Sequence, residues 1–340
     1  MIKITFKEAG HGDSIILEWE NNDESCIGII DCNLRRNGTN PVLDHLSKTV
    51  FSRISFILLS HPHYDHYSGL RQVLEHCEKN SIFIGCFLHT AHQVPAYLKS
   101  AVKTNEAKIE LKKLFKKVHE LYKNGFIGYP SYVNPDRQDF ILNSKTSIRF
   151  LSPSSQEDLN YLNGQAVFAD EEKGHNNANA NWLSSVLKIY TDSWYLLLTS
   201  DAERRTLGRL GIKNANEFRE QLIIAQSPHH GANDNHYPAF WKHRKGNAKD
   251  IPIVFSVGSN SYNHPSQKTV ESFQKLDYQI YSTNQVGGLS GQDYKSQRLI
   301  SEVEALLDNE SKLIVQTPQK TRFQGDQTFE IDHIGKVSHK

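Results

Sequence analysis

The chain has 340 residues, 38% of them hydrophobic, and its 39 basic and 38 acidic residues leave a net charge of +1. This length suffices for one large domain or two smaller ones with a sizeable core. The balanced charge excludes the overall basic charge of a protein that coats nucleic acid. The four cysteines show no C-x-x-C spacing, which indicates small buried side chains in a reducing compartment rather than a disulfide framework.

The first 90 residues are predicted to alternate strands with short helices. The N-terminal residues 1–6 alternate as in a strand and lack the apolar core of a signal peptide. No run approaches the ~20 apolar residues needed to span a membrane, so we expect a cytoplasmic protein without a membrane partner. After a second strand and a short helical or loop segment, the pattern predicts a buried strand at 54–59, a helix at 67–77 and a strand at 82–84.

The rest of the chain is predicted to add a long helix, a loop-rich segment and further buried strands. The helix, at 97–123, has an apolar face and eight lysines, which serve either as a contact surface for a polyanion or as an ordinary solvated face. Residues 124–180 are rich in Asn, Ser, Pro and Gly and are predicted as loops, with one strand at 146–151; their His175 is either a site residue or an ordinary loop histidine. Apolar runs at 195–200, 222–227 and 251–258 predict strands, and a helix at 297–308 and a strand at 327–331 follow. There is no internal repeat and no clear linker, so residues 1–340 are predicted to form one domain.

The segment from Ser60 to His66, here called the histidine loop, carries three histidines and one carboxylate in its last six residues. It lies at the carboxyl end of a predicted strand, where α/β sheets place their ligand chemistry. His61 and His63 are two residues apart, so an extended chain points both to one side, where they can bind one cation. Asp65 and His66 lie past the bend and can bind a second. The alternative is a surface loop whose carboxylate only caps a helix.

Such ligands suit zinc and similar ions, which bind imidazole nitrogen and carboxylate oxygen at about 2.0–2.2 Å. Two cations about 3.5–4 Å apart would hold a hydroxide between them and neutralise an oxyanion. The mixed nitrogen and oxygen donors favour Zn²⁺ over Mn²⁺. The predicted cofactor is therefore a pair of divalent metal ions.

The H-x-H-x-D-H spacing of the histidine loop resembles the metallo-β-lactamase superfamily, and similar pieces follow downstream. Tyr195–Asp201 looks like the buried strand that ends in the carboxylate bridging both metals in that superfamily. The resemblance implies an α/β fold, an αββα sandwich of the metallo-β-lactamase type. It also implies one hydrolase domain over residues 1–340, with a helical and loop insertion at about 95–180.

A closer resemblance is to the hydrolase domain of bacterial DNA-uptake competence proteins. Five further pieces carry it, together with the histidine loop and the Asp201 strand: Gly10–Leu17, Ile29–Asp31, Asn181–Leu187, Pro228–Gly231 and Tyr262–Pro265. They follow the family's order over about residues 1–290. Two departures stand out. His11 replaces the usual glutamine, and the segment that would carry the third histidine of metal one begins with Asn181, so metal one would be bound more weakly or completed by water.

The residues and the resemblance together assign roles at the site. His61 and His63 are predicted to bind metal one, Asp201 to bridge, and three residues to bind metal two: Asp65, His66 and His230. Adjacent residues of an extended chain point opposite ways, so His229 and His230 should not both bind the same ion, and His230 is favoured as the ligand.

The remaining candidates surround these ligands. The candidate catalytic residues are Asp65, His229 and His264; His229 would act as a general acid or contact the scissile group, while His264 shares that role or is an ordinary loop histidine. Asn181 is the candidate substrate-binding residue. Asp13 and Asp31 are expected to orient ligating histidines, although a plain turn role is equally open for Asp31.

The predicted function is a metal-dependent hydrolase, a phosphodiesterase and most plausibly a nuclease, whose nucleophile is the metal-bridging hydroxide. Its partner would be nucleic acid or another phosphodiester substrate. One alternative is a hydrolase of phosphorylcholine-type or other small esters, since that family is also similar around Pro228–Gly231. Another is a non-catalytic partner protein. The sequence leaves oligomeric state and pathway open.

Overall fold

Two β-sheets pack face to face in the computed structural model, which describes residues 1–91, 94, 97, 104–166, 179–212, 215–290 and 324–340. The first sheet has eight strands in the order β15-β14-β1-β2-β3-β4-β5-β6. Strands β3 to β6 run parallel, and the remaining neighbours are antiparallel. The strands are β1 Ile2–Phe6, β2 Ile15–Asn21, β3 Glu24–Ile30, β4 Arg53–Leu59, β5 Ile84–His89, β6 Ile127–Tyr132, β14 Gln327–Ile331 and β15 Val337–His339.

The second sheet has seven strands in the order β13-β12-β11-β10-β9-β8-β7. Strands β10 to β13 run parallel and β7 to β10 antiparallel. The strands are β7 Phe140–Asn143, β8 Thr146–Ser152, β9 Val186–Tyr190, β10 Trp194–Leu198, β11 Gln221–Gln226, β12 Ile251–Phe255 and β13 Tyr278–Ser282.

Helices cover the outer face of each sheet. The described helices are α1 Pro41–Leu46, α2 Tyr64–Tyr67, α3 Leu70–Lys79, α4 Asn105–Lys123, α5 Ser155–Ala166, α6 Arg204–Ile212, α7 Pro238–Lys245 and α8 Gln267–Lys275. Side chains of α1, α3 and α4 pack on the first sheet, whereas those of α6, α7 and α8 pack on the second. No helix within the described ranges is long and apolar enough to cross a lipid bilayer.

Strand β10 shows how the layers are built. Because successive side chains of a strand point to opposite faces, Trp194, Leu196 and Leu198 enter the core between the two sheets. Tyr195 and Leu197 enter the core between the second sheet and its helices. A third core lies between the first sheet and its helices. Three apolar cores separate four layers, which confirms the predicted αββα sandwich.

The sequence prediction was wrong for the described part of residues 124–180, which comprises 124–166 and 179–180 and is not mainly loops. It contains β6, β7, β8 and α5, of which only β8 was expected. Strand β6 carries Gly128 and Pro130, which disfavour a strand interior, but it lies at a sheet edge, where proline is tolerated. The predicted helix at 97–123 is described as α4 from Asn105 onward, and Thr104 caps it. The predicted helix at 297–308 lies outside the described residues.

Parallel strands bring the site together. In a parallel arrangement the carboxyl ends of neighbouring strands meet at one edge of the sheet, so the loops after them converge. The segments that follow β3, β4, β10, β11 and β12 carry Asp31, the histidine loop, Asp201, the His229–His230 pair and His264. The loop between β1 and β2 adds His11.

Candidate metal centre

The histidine loop follows β4 and is anchored at its first residue. The backbone N–H of Ser60 donates to Asp31 Oδ1 at 2.7 Å, and its hydroxyl donates to Oδ2 at 2.5 Å. His63 keeps an extended backbone (φ −90°, ψ 144°) and forms the N-cap of the four-residue helix α2. His61 and His66 are fully buried. The loop therefore presents His61 and His66 to the interior of the sandwich edge, whereas His63 is only partly buried.

A first group of donor atoms comprises His61, His63 and Asp201, and its three atoms lie within 4.8 Å of one another. His61 Nε2 lies 3.0 Å from His63 Nδ1 and 3.5 Å from Asp201 Oδ2. The other ring nitrogen, His61 Nδ1, lies 3.2 Å from the hydroxyls of both Ser60 and Ser200. These hydroxyls fix the ring while Nε2 faces the group.

A second group comprises His66, Asp201 and His230. Both histidine Nε2 atoms lie 3.5 Å from Asp201 Oδ1. Asp65 Oδ2 adjoins them, 3.3 Å from His230 Nε2 and 4.0 Å from His66 Nε2. Donor atoms bound tetrahedrally at about 2.1 Å would lie about 3.4 Å apart, which matches most of these separations. The two oxygens of Asp201 thus face different groups.

Three buried atoms of the second group have no hydrogen-bond partner among the described residues: His66 Nε2, His230 Nε2 and Asp201 Oδ1. Each such atom costs about 1–3 kcal/mol when left unsatisfied. The opposite nitrogens are engaged, since His66 Nδ1 lies 2.7 Å from Asp31 Oδ2 and His230 Nδ1 lies 2.7 Å from the carbonyl oxygen of Ser256. Because Nδ1 donates in each case, Nε2 is the atom that faces inward, and its lone pair is available to a cation when the ring is neutral. This donor set fits a divalent cation.

The electrostatics also favour positive charge here. Burial disfavours protonated His230, but Asp201 and Asp65 outweigh it and raise the pKa of His230 to about 9. The pKa of His66 is likewise raised, against burial, by Asp201, Asp31 and Asp65. By contrast, burial and the neighbouring His66 lower the pKa of His61 to about 3, so its ring is neutral and able to bind a cation.

The His229–His230 turn corrects one step of the sequence reasoning. The chain is not extended there: His229, His230 and Gly231 all have positive φ, of 47°, 54° and 84°. Both Nε2 atoms therefore face Asp201, His230 at 3.5 Å from Oδ1 and His229 at 3.6 Å from Oδ2. The premise of an extended chain was wrong, while the choice of His230 as the ligand, and the expectation that the two residues do not bind the same ion, stay predictions.

The structure also places the remaining predicted residues around this cluster. His229 Nδ1 lies 3.2 Å from Asn181 Nδ2, and Asn181 is buried. The His264 ring lies 5.7 Å from that of His229; within the described ranges it joins no group of candidate metal ligands. Of the two predicted orienting carboxylates, Asp31 contacts His66 directly, whereas Asp13 lies 3.8 Å from His66 Nδ1 and accepts from Gln226 Nε2 at 2.7 Å. His175 lies outside the described residues.

Sequence reasoning gave no role to two features of the site. The first is His11, which forms a third group of donor atoms with Asp65 and His230. Its signal was the flanking pair of glycines, Gly10 and Gly12, which allow an unusual turn. The second is the pair of hydroxyls of Ser60 and Ser200. Their signal was only their position beside His61 and Asp201 in the sequence.

Comparison with known proteins finds similarity only to solved structures. No protein-family model matches the chain, and no curated protein matches it. Solved structures that resemble it include the metallo-β-lactamase fold protein YhfI from Bacillus subtilis, at 10% identity and a TM-score of 0.41 over all of both chains. Another is a diphosphatase of the PhnP family, at 10% identity and a TM-score of 0.42, covering 99% of this chain and 100% of that one. A third is Zn²⁺-bound PqqB from Methylobacterium extorquens, at 10% and 0.43, covering 82% and 97%.

These likenesses are too distant to assign an activity, a metal or a substrate to this chain. The narrower resemblance to the competence hydrolases stays a prediction.

The crowded left-handed turn at Gly231 should tolerate no side chain. A Cβ there would lie 2.5 Å from Pro265 Cβ and 2.7 Å from the Phe255 ring. Gly231→Ala adds left-handed strain of about 1–2 kcal/mol to overpacking of about 1–3 kcal/mol, so the free energy of unfolding should fall by their sum. Gly125 (φ 77°) follows the end of α4 and has nothing within 4 Å, so Gly125→Ala should show only the left-handed strain. Urea denaturation measures both; equal losses would contradict the crowding argument.

The contact between Asp31 and His66 should matter for metal affinity. Asp31→Asn weakens the acceptor that holds the Nδ1 proton of His66, so divalent-cation affinity should fall about 10–100-fold. Competition with a chromophoric chelator measures this. Asp23→Asn is the matched control, because Asp23 is an exposed aspartate with a similar left-handed backbone (φ 65°, against 57° for Asp31). An Asp31→Asn variant with wild-type affinity would show that the contact does not tune the site.

Proposed function

We propose that this chain is a metal-dependent hydrolase that acts on phosphodiesters with two divalent cations, Zn²⁺ in preference to Mn²⁺. One observation carries the proposal: His66 Nε2, His230 Nε2 and Asp201 Oδ1 are buried, converge within one group and have no hydrogen-bond partner in the described parts of the chain. The preference for zinc rests on the donor set, in which imidazole nitrogens outnumber carboxylates.

The site residues would divide the work of holding the cations. Bound divalent cations lower the pKa of water and neutralise charge on a phosphoryl oxygen. His61 and His63 would hold the first with Asp201 Oδ2; Asp201 Oδ1 would hold the second together with Asp65, His66 and His230. Asp31, the Ser256 carbonyl and the Ser60 and Ser200 hydroxyls keep the three buried rings in place. The chain therefore supplies a rigid frame that needs little rearrangement when a cation binds.

His229 would deliver the proton to the leaving group. The amide N–H₂ of Asn181 donates to His229 Nδ1, so the neutral ring carries its proton on Nε2, the atom that faces Asp201. A proton held there suits a donor better than a metal ligand. Asn181 Oδ1 is buried and has no hydrogen-bond partner in the described ranges, which supports the predicted substrate contact of Asn181. His264 lies beside His229 and would assist it or contact substrate.

The phosphodiester assignment rests on the sequence resemblance to the competence hydrolases, and one observation favours a small substrate over a long polyanion. On α4, Lys113, Lys116 and Lys117 lie within ion-pair distance of glutamates of the same helix, at 3.8 Å in each case. Lys117 also pairs with Glu78 of α3 at 2.6 Å. These ion pairs offset part of the positive charge of α4, which makes the helix a weaker surface for nucleic acid than its number of lysines indicates. A hydrolase of small esters, phosphorylcholine esters included, is therefore the second candidate.

A substrate panel tests the function. The metal-loaded protein should cleave bis(p-nitrophenyl) phosphate and at least one of single-stranded DNA, double-stranded DNA and RNA, and a chelator should abolish the activity. Asp201→Asn removes a charge that faces both groups, so its rate should fall by more than the ~100-fold typical of losing an orienting contact. Asp23→Asn should keep the wild-type rate. Cleavage of bis(p-nitrophenyl) phosphate without cleavage of any nucleic acid would select the second candidate. If the protein carries two cations and cleaves none of these substrates, the proposal of a catalytic function is refuted.

The role of His229 can be tested with leaving groups. Thymidine 5′-(p-nitrophenyl phosphate) releases a stable phenolate that needs no proton, whereas a dinucleotide releases an alkoxide that does. General acid catalysis contributes about 10²–10⁴-fold, so His229→Ala should lose about that factor on the dinucleotide and far less on the aryl ester. The exposed His243 supplies the control variant, His243→Ala. Equal losses on both substrates would instead place His229 in binding the cation or the substrate.

A further inference from the structure

The loop between β1 and β2 is held tightly against the histidine loop, and this fixes the position of His11. The backbone N–H of Asp13 donates to the carbonyl oxygen of Asp65 at 3.1 Å. A Cβ on Gly12, whose φ is 147°, would lie 2.4 Å from that same oxygen. The side chain of Asn33 donates to the carbonyl oxygens of Ala9 and His11 at 2.8 and 2.9 Å. A side chain at Gly12 would therefore push His11 away from the site.

The loop is equally close to the second sheet. A Cβ on Gly258, which follows β12, would lie 2.3–2.6 Å from the backbone of Gly10 and His11. His11 is thus confined between segments that belong to the two different sheets. Such confinement on both sides is what a preorganised ligand needs, since donors must be held near their bound geometry before the cation arrives.

The His11 ring itself lies against the second group. Its centroid is 4.5 Å from that of His230, and one of its donor atoms lies within 4.8 Å of donor atoms of both His230 and Asp65. His11 Nδ1 is buried and has no hydrogen-bond partner in the described stretches of the chain. Nearby His264, by contrast, has its ring 5.8 Å from that of His11 and contributes to no donor group there.

We infer that His11 is a further protein ligand of the second cation, completing a set that also contains Asp65, His66, Asp201 and His230. The inference rests on the proposed function, since it needs a cation at the second group. It assigns a metal-binding role to a position where the sequence resemblance leads one to expect glutamine. A glutamine amide binds such ions more weakly than an imidazole, so this chain should hold its second cation unusually firmly.

Metal-binding measurements test this without relying on activity. The protein is stripped with a chelator and titrated with Co²⁺ and Zn²⁺ in the wild-type, His11→Ala, His11→Gln and His264→Ala forms. Elemental analysis gives the number of ions, chelator competition gives the two affinities, and the visible absorption of Co²⁺ reports its coordination. Loss of an orienting contact alone costs about 10–100-fold. Both His11 variants should therefore lose at least about tenfold at one site, with altered Co²⁺ bands, while the other site and His264→Ala keep wild-type values.

The outcomes separate the inference from the function on which it rests. Two bound ions with unchanged affinities and spectra in both His11 variants would overturn the role of His11 and leave the proposed function standing. A loss of affinity that His264→Ala reproduces would also overturn it, because any disturbance at the mouth of the site would then suffice. A wild-type protein that binds no cation would overturn the proposed function itself. Circular dichroism checks that each variant is folded, and His11→Gln, which keeps a polar side chain, covers the case in which His11→Ala is not.

Discussion

The carboxylate of Asp201 is the feature on which the rest of the site depends. It is 2% exposed, and each of its oxygens lies about 3.5 Å from the Nε2 atom of a different histidine. A buried carboxylate among neutral imidazoles is expensive unless positive charge accompanies it. The pKa values of His66 and His230 are raised for the same reason, because a proton on each imidazole supplies positive charge beside the buried carboxylate. A divalent cation in each group would satisfy the carboxylate and leave the imidazoles neutral.

Several residues of the site adopt unfavourable backbone conformations. Asp31, Ser200, His229 and His230 all have φ between 45° and 57°, a region in which residues other than glycine are uncommon. Strain of this kind costs about 1–3 kcal/mol per residue and persists only where the surroundings over-determine it. Here the strained residues follow β3, β10 and β11, strands whose side chains fill the cores on both sides of their sheets. The packing of the rigid sandwich therefore offsets the strain of the backbone conformations that direct these side chains into the site.

Much of the fold could be predicted from the sequence because its central strands are continuous apolar runs. The strands that became β4, β10 and β11 stand out as buried β-structure, and the H-x-H-x-D-H spacing identifies the loop that follows the first of them. Edge elements carry weaker signals: β6 contains Gly128 and Pro130 and exposes much of its length, so its residues resemble a loop. The sequence also could not reveal the contacts that define the site. Asp31 contacts His66 and Asp13 does not, because β3 packs against β4. His229 points into the site because of a left-handed turn, which no local sequence pattern predicts.

The two groups of donors differ in a way that bears on how the site would work. Around the first, the described chain supplies His61, His63 and one oxygen of Asp201, and His229 Nε2 lies 3.6 Å from that oxygen. Around the second it supplies four residues besides His11. Catalytic sites keep a coordination position open, whereas sites closed by protein ligands serve structure. If both cations bind, the second would be the firmly held one and would anchor Asp201, while the first would keep room for water and substrate. His229 and Asn181 lie on the side of Asp201 that faces this first group. The open coordination position, the proton donor and the candidate substrate contact would then share one side of a single carboxylate, which is the arrangement that hydrolysis requires.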